Sequence, residues 1–257
     1  MIDYLLEVKR ENKKELKTYT ANLSLGLSNP TSTEQIIPFL SPREQQELEQ
    51  FKFEKRRREY SLGRYVGKKS VQSLLNNTAM EDISIINGVF NQPVLYYPNS
   101  SERIQVSISH ADHLAVALAF PEEHPMGIDV EKVSGDNEEA LLRQMLDTEL
   151  ELLKGQQLLL NQGLTLLWTA KEALSKVLKT GLTVPLSVLA IHHLEKTDEG
   201  YMCEFKNFLQ YKTYSWLFDC YVCSLCLPRN SLLCSSSEEI RKVLLALLNH
   251  QSTKTFN

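Results

Sequence analysis

No apolar run in this 257-residue chain approaches the ~20 residues of a membrane span. The opening Met1-Ile2-Asp3-Tyr4-Leu5-Leu6-Glu7 turns charged too soon for the apolar centre of a secretory leader. Basic charge is short as well: 28 Lys and Arg against 32 Asp and Glu give a net charge of -4 and a pI near 5.9. That balance argues against bulk attraction to nucleic acid or to an anionic membrane. Internal repeats and low-complexity tracts are missing, and so is the Gly-x-Gly-x-x-Gly dinucleotide fingerprint. Gly63-Arg64-Tyr65-Val66-Gly67-Lys68-Lys69-Ser70 falls short of a phosphate loop. It has three residues between its glycines where four are needed, and it continues a helix instead of opening one after a strand. The composition, 42% hydrophobic and 23% charged, is that of a soluble globular protein. A chain of this length buries a core without disulfides or structural metal. The expectation is a cytoplasmic monomer.

Cysteine is scarce, and three of the five fall in Cys220-x-x-Cys223-x-x-Cys226, a spacing that resembles part of an iron–sulfur ligand run. The stretch Tyr211 to Leu227 is aromatic and β-branched enough to form one buried strand, in which residues three apart point to opposite faces. These thiols then cannot converge on a cluster and serve as small hydrophobes. Cys234 is poorly spaced as a fourth ligand.

Ser41 precedes Pro42 at a first helical position, with Glu44 three residues past the cap, which marks an early helix. A long helix follows from about Phe53 to Leu75, with Tyr60, Gly67, Val71 and Leu74 on one face. Extended segments are expected at Ile83–Ile86, Pro93–Tyr96, Ile104–Ser109 and Leu114–Phe120. Residues 121–126 read as a linker. Beyond it come a short strand over Gly127–Glu131, a helix from Glu138 to about Leu153, and a stronger helix over Thr165–Thr180 stopped by Gly181. Strands are expected at Ser187–Leu194, Tyr201–Phe205 and Tyr214–Leu227, then a helix over Glu238–Leu248 capped at Ser237. Its Ile240, Val243, Leu244, Leu247 and Leu248 suit either packing on the second half or a partner. The pattern is α+β: two comparable halves, residues 1–124 and 125–257.

Asp129 and Glu131 sit two apart on a strand, so their carboxylates share a side. Such a pair suits a hard cation between its oxygens, and equally a solvated strand edge. Glu172 and Lys176 share a helix face, where a surface ion pair is the plain alternative. Three carboxylates with an ammonium can together hold magnesium on a pyrophosphate and neutralise charge as its bond breaks.

Gly127-Ile128-Asp129-Val130-Glu131, followed by Trp168-Thr169-Ala170-Lys171-Glu172-Ala173-Leu174-Ser175-Lys176, resembles the two signature motifs of the Sfp-type 4′-phosphopantetheinyl transferases. Phe39-Leu40-Ser41-Pro42, Arg57 to Arg64, Ser107-Ile108-Ser109-His110 and Lys179-Thr180-Gly181-Leu182 match further family segments in order, over roughly residues 36 to 230. The resemblance implies two pseudo-symmetric halves, each a long helix packed on a small, mostly antiparallel sheet, with coenzyme A in the cleft between them. The implied activity moves the 4′-phosphopantetheine group of coenzyme A to a serine hydroxyl of an apo acyl or peptidyl carrier protein. Adenosine 3′,5′-bisphosphate is released. The alternative is a catalytically weak relative that binds carrier protein or coenzyme A without efficient turnover. Asp129, Glu131 and Glu172 are the implied Mg2+ ligands, with Glu172 doubling as base and Lys176 contacting the pyrophosphate. Ser109 and His110 are implied contacts of the nucleotide end, and Lys55 of its 3′-phosphate. For His110 a satisfied loop histidine is the alternative, and for Lys55 a solvated helix face. Asn91-Gln92-Pro93 stands where the family carries Gly-Lys-Pro, so Gln92 and Pro93 line the nucleotide site with one cation fewer. The sequence does not say whether the carrier serves fatty acid, polyketide or peptide synthesis.

Overall fold

Alternating apolar residues at the start of the chain make a long hairpin. The computed structural model describes residues 1–12, 15–28, 32–75, 78–98, 103–181 and 183–252. In it β1 (Ile2–Asn12) and β2 (Glu15–Leu27) pair antiparallel from Ile2↔Leu25 to Asn12↔Glu15. Leu6 and Val8 of one strand and Ala21, Leu23 and Leu25 of the other are buried. This hairpin is an addition to the elements expected from sequence.

Next come α1 (Ser32–Ile36), α2 (Pro42–Gln50) and α3 (Glu54–Gln72). The strands β3 (Ser84–Asn87), β4 (Pro93–Tyr96), β5 (Ile104–Ala111) and β6 (Leu114–Pro121) complete the first half. The second half begins with β7 (Gly127–Lys132). The helix expected from Glu138 to Leu153 is broken into α4 (Glu138–Leu142) and α5 (Asp147–Leu153), and α6 (Leu160–Leu178) starts five residues before the expected Thr165. Its left-handed cap is Lys179, at φ 57°, with Gly181 also at positive φ. Leu182 lies outside the described residues. A 3-10 turn over Leu186–Leu189 delays β8 to Ile191–Thr197, and β9 covers Gly200–Phe205. The single strand read from Tyr211 to Leu227 is instead a hairpin, β10 (Tyr211–Phe218) and β11 (Tyr221–Pro228). It turns at Asp219, whose φ is 48°, a conformation that aspartate tolerates better than most residues. Last are β12 (Ser231–Leu233) and α7 (Ser237–Ser252).

Every strand pairing among the described residues is antiparallel. One sheet has the order β12-β1-β2-β6-β5, the other β7-β11-β10-β9-β8, and β3-β4 form a separate ribbon. The sheets lie face to face between the two long helices. On β6, Ala115, Ala117 and Ala119 face α3, while Val116, Leu118 and Phe120 join Ile128, Val130, Trp216 and Leu225 between the sheets. The outer face of the second sheet, with Cys203, Phe205, Val222 and Cys226, packs on α6. Cys223 and Cys226 therefore sit on opposite faces of β11, as the period of two requires, and Cys220 lies in the turn. Burial raises the thiols of both Cys223 and Cys226.

Each half contains the same internal tie. In the first, fully buried Glu44 accepts from Ser41 N at 2.8 Å and from Ile85 N at 2.9 Å, and pairs with Lys68 Nζ at 2.5 Å. In the second, fully buried Glu149 accepts from Leu146 N at 2.9 Å, Ile191 N at 2.8 Å and Lys171 Nζ at 2.7 Å. Each tie fastens a helix start, a long helix and the strand after it.

Candidate active site

Gly127 brings β7 and α6 together, since a Cβ there would lie 2.3 Å from the Ala173 carbonyl oxygen. That close approach lets Lys176 Nζ reach across, donating to Asp129 Oδ1 at 2.7 Å and to Ile128 O at 3.0 Å. From the first half, Ser109 Oγ donates to the same Asp129 Oδ1 at 2.6 Å. Asp129 Oδ2 is buried with no hydrogen-bond partner among the described residues. Trp168 donates to Glu131.

Burial, and then the neighbouring charge of Asp129, pushes the Glu131 and Glu172 carboxyls up to about 7, with Lys176 opposing both shifts. Three carboxyls thus share one region, two of them holding their protons toward neutrality. They are not a finished ligand set: among the described residues no three His, Cys, Asp or Glu side chains stand in a metal-holding arrangement, and the Lys176 ammonium lies beside Asp129. The donors nonetheless suit magnesium. All are hard oxygens, one is buried and unpartnered, and their mutual repulsion is what a divalent cation relieves.

A pH dependence follows. A carboxyl whose folded pKa is raised stabilises the fold fully below its unfolded value near 4.5, and that contribution is lost as pH rises through about 7. Metal-free protein should therefore lose thermal stability between pH 5 and 8. Added magnesium should recover it at pH 8 and do little at pH 5, where protons hold the oxygens. Thermal melts across that range check this, and equal magnesium shifts at both pH values would contradict it.

A cleft of about 390 Å³ runs between the halves, walled by Gln92, Pro93 and Ser107 on one side and Glu172, Lys176 and Lys179 on the other. A larger open hollow of about 770 Å³ adjoins it over Tyr96 and Arg103 but touches neither Glu172 nor Lys176. Gln92 Oε1 accepts from Phe90 N at 2.9 Å, holding the β3–β4 turn in which Asn91 has φ 60°.

The remaining expected residues divide. The Ser109 hydroxyl is engaged with Asp129, a tie between halves that the resemblance did not imply. His110 packs against Gly63 of α3, where a Cβ would fall 2.2 Å from Nε2. Burial first, then the cations Lys176, Arg56 and Arg64, lower its pKa to about 4, so the ring is neutral. Lys55 projects into solvent, 76% exposed and 3.9 Å from Glu59, as a solvated helix face would. Lys171, quoted with the motif, turns away into its pair with Glu149. Arg64 has no role that its position in the sequence signals. It is buried, lies over the Tyr60 ring and donates to Asn87 Oδ1 at 2.6 Å.

Residues 125–226 match the family model described as the 4′-phosphopantetheinyl transferase superfamily. A holo-[acyl-carrier-protein] synthase of Anoxybacillus flavithermus (strain DSM 21510 / WK1) is 34% identical over a 73-residue alignment that covers 26% of this chain and 61% of that relative's length. Among solved structures, a holo-(acyl-carrier-protein) synthase from Bacillus anthracis str. Ames in complex with CoA (3′,5′-ADP) is 19% identical, with TM-score 0.34, covering 38% of this chain and 93% of its own. The Thermotoga maritima holo-[acyl-carrier-protein] synthase is 23% identical, with TM-score 0.32, covering 41% and 67%. Likeness at these TM-scores carries no argument. The sequence match takes in Asp129, Glu131, Glu172 and Lys176, and through residues 125–226 this chain carries the pattern of the 4′-phosphopantetheinyl transferase superfamily.

Proposed function

We propose that this protein transfers the 4′-phosphopantetheine group of coenzyme A to a serine hydroxyl of an apo acyl or peptidyl carrier protein. The observation that carries the reading is the gathering of Asp129, Glu131 and Glu172 around Lys176, beside a cleft that Glu172 and Lys176 line, inside the stretch that matches the superfamily. The serine oxygen bonds to the phosphorus bearing the pantetheine arm as that phosphorus loses its bond to the bridging oxygen, which leaves with the adenosine 3′,5′-bisphosphate. Glu172, a base of pKa about 7, takes the serine proton. Lys176 donates to the phosphates and to the departing adenosine 3′,5′-bisphosphate. Asp129, Glu131 and Glu172 would hold magnesium, which supplies positive charge to the phosphate oxygens. The two halves read as pseudo-symmetric copies, supported by the twin Glu–Lys ties and by the shared order β2-β6-β5 and β7-β11-β10.

The test is the mass of an apo carrier protein after incubation with coenzyme A and magnesium. A gain of about 340 Da, the mass of the arm, is expected. An unchanged mass with coenzyme A still bound would leave the binding-only relative.

Gln92→Lys is expected to lower the Michaelis constant for coenzyme A several-fold with little change in turnover. An added cation beside the nucleotide phosphates strengthens ground and transition states alike. The benefit should shrink with salt. Gln92→Met, which loses the same bond from Phe90 N without adding charge, isolates the electrostatic part. Equal constants for the lysine and methionine variants would place position 92 outside the site.

A further inference from the structure

Residues 231–248 belong to the second half by chain order and to the first by hydrogen bonding. Beyond β11 the chain leaves its own sheet, and Ser231, Leu232 and Leu233 pair with Arg10, Lys9 and Val8 at the outer edge of the first. Cys234 N donates to Glu7 O at 3.0 Å, and the Tyr4 hydroxyl donates to Ser235 Oγ at 2.8 Å. From the linker, fully buried His124 shares a 2.8 Å hydrogen bond with Ser231 Oγ. The chain then returns: Ser237 N meets Asp198 O at 3.3 Å, and Arg241 Nε donates to Leu217 O at 3.0 Å. Ile240, Leu244 and Leu247 sink into the core shared by both sheets. The segment 231–248 itself lies beyond residue 226, where the superfamily match ends.

The opposite edge of the first sheet, β5, meets β7. There Ile128 N donates to Ser107 Oγ at 3.0 Å beside the Ser109–Asp129 bond. The halves are thus sewn together at both edges of the sandwich. We propose that residues 231–248 act as a clasp that keeps the halves at the spacing of the cleft, so that loosening the clasp opens the β5–β7 seam. A site built from both halves binds only in its closed fraction, and its apparent dissociation constant rises as that fraction falls. The kinetic arm of the test rests on the cleft being the coenzyme A site; the exchange arm does not.

The Ile128 amide bonds to a side chain of the other half, so its hydrogen exchange reports the seam directly. In Leu244→Ala, and in Tyr4→Phe with Ser231→Ala, this amide should exchange at least about tenfold faster while Leu174 in α6 keeps its rate. The Michaelis constant for coenzyme A should rise several-fold with turnover nearly unchanged. Should Leu244→Ala fail to fold, the polar pair carries the test. Glu7→Cys sets a thiol opposite native Cys234, within reach of a cross-strand disulfide. Oxidised, it should restore slow Ile128 exchange to the Leu244→Ala protein, and reduction should undo this. Unchanged Ile128 exchange in the loosened variants, or no restoration by the oxidised tether, overturns the clasp. A seam that responds while the Michaelis constant does not supports the clasp and removes the cleft as the coenzyme A site.

Discussion

Alanine at Asp129 or at Glu172 is expected to lower turnover at least about a hundredfold in the carrier-loading assay, the scale of losing a principal charge stabiliser. The two variants fail for different reasons. Without Glu172 the attacking hydroxyl would, in the proposed reaction, have no acceptor for its proton. Without Asp129 the anchor shared by Ser109 and Lys176 is gone, although Lys176 Nζ keeps its bond to the Ile128 carbonyl. Folding should survive both changes: Glu172 leaves a crowded acidic region, and Lys176, partly exposed and still bonded to the Ile128 carbonyl, is not stranded when Asp129 goes. A second signature separates Asp129→Ala from general damage. The Asp129 charge helps raise the carboxyls of Glu131 and Glu172, so both should titrate at lower pH in the variant, as NMR titration of the metal-free protein will show. Near-normal loading by both proteins would overturn the assignment.

Lys171→Met is expected to destabilise the protein by about 3–5 kcal/mol, the range for removing one partner of a fully buried ion pair. Both side chains of the Glu149–Lys171 pair are 0% exposed, so the stranded carboxylate has no water to turn to. It would keep only the backbone donors Leu146 N and Ile191 N. The exposed Arg143–Glu139 pair, at 74% and 80% exposure, is the comparison. Arg143→Met there should cost no more than about 0.5 kcal/mol. Urea unfolding of both variants measures the difference, and comparable losses would mean that burial is not what makes the inner pair costly to break.

Local chemistry was legible in the sequence. The cap at Ser41, Pro42 and Glu44 is formed as its spacing demands, and the period of two puts Asp129 and Glu131 on one side of β7. What escaped depended on partners distant in sequence. Lys171 looks like one more motif cation until α5 brings Glu149 beneath α6, 22 positions earlier in the chain. The bond of Ser109 to Asp129 exists only because β5 lies against β7. The β10–β11 hairpin hid because its turn at Asp219-Cys220 contains neither glycine nor proline, so two strands ran together into one apolar stretch. The β1–β2 hairpin hid because its outward residues mix charges (Asp3, Glu7, Lys9) with threonines and exposed leucines (Leu5, Leu16, Thr18, Thr20), which blurs the alternation.

The pairing of Val8 with Leu233 also has a consequence during synthesis. At roughly 5–20 residues per second, the outer edge of β1 waits on the order of 10–45 s for the strand that will cover it. An uncovered edge is a template for pairing with a neighbouring chain. Glu7, Lys9 and Arg10 on that strand place alternating charges along the waiting edge, a protection against aggregation of the nascent protein that the finished fold no longer needs.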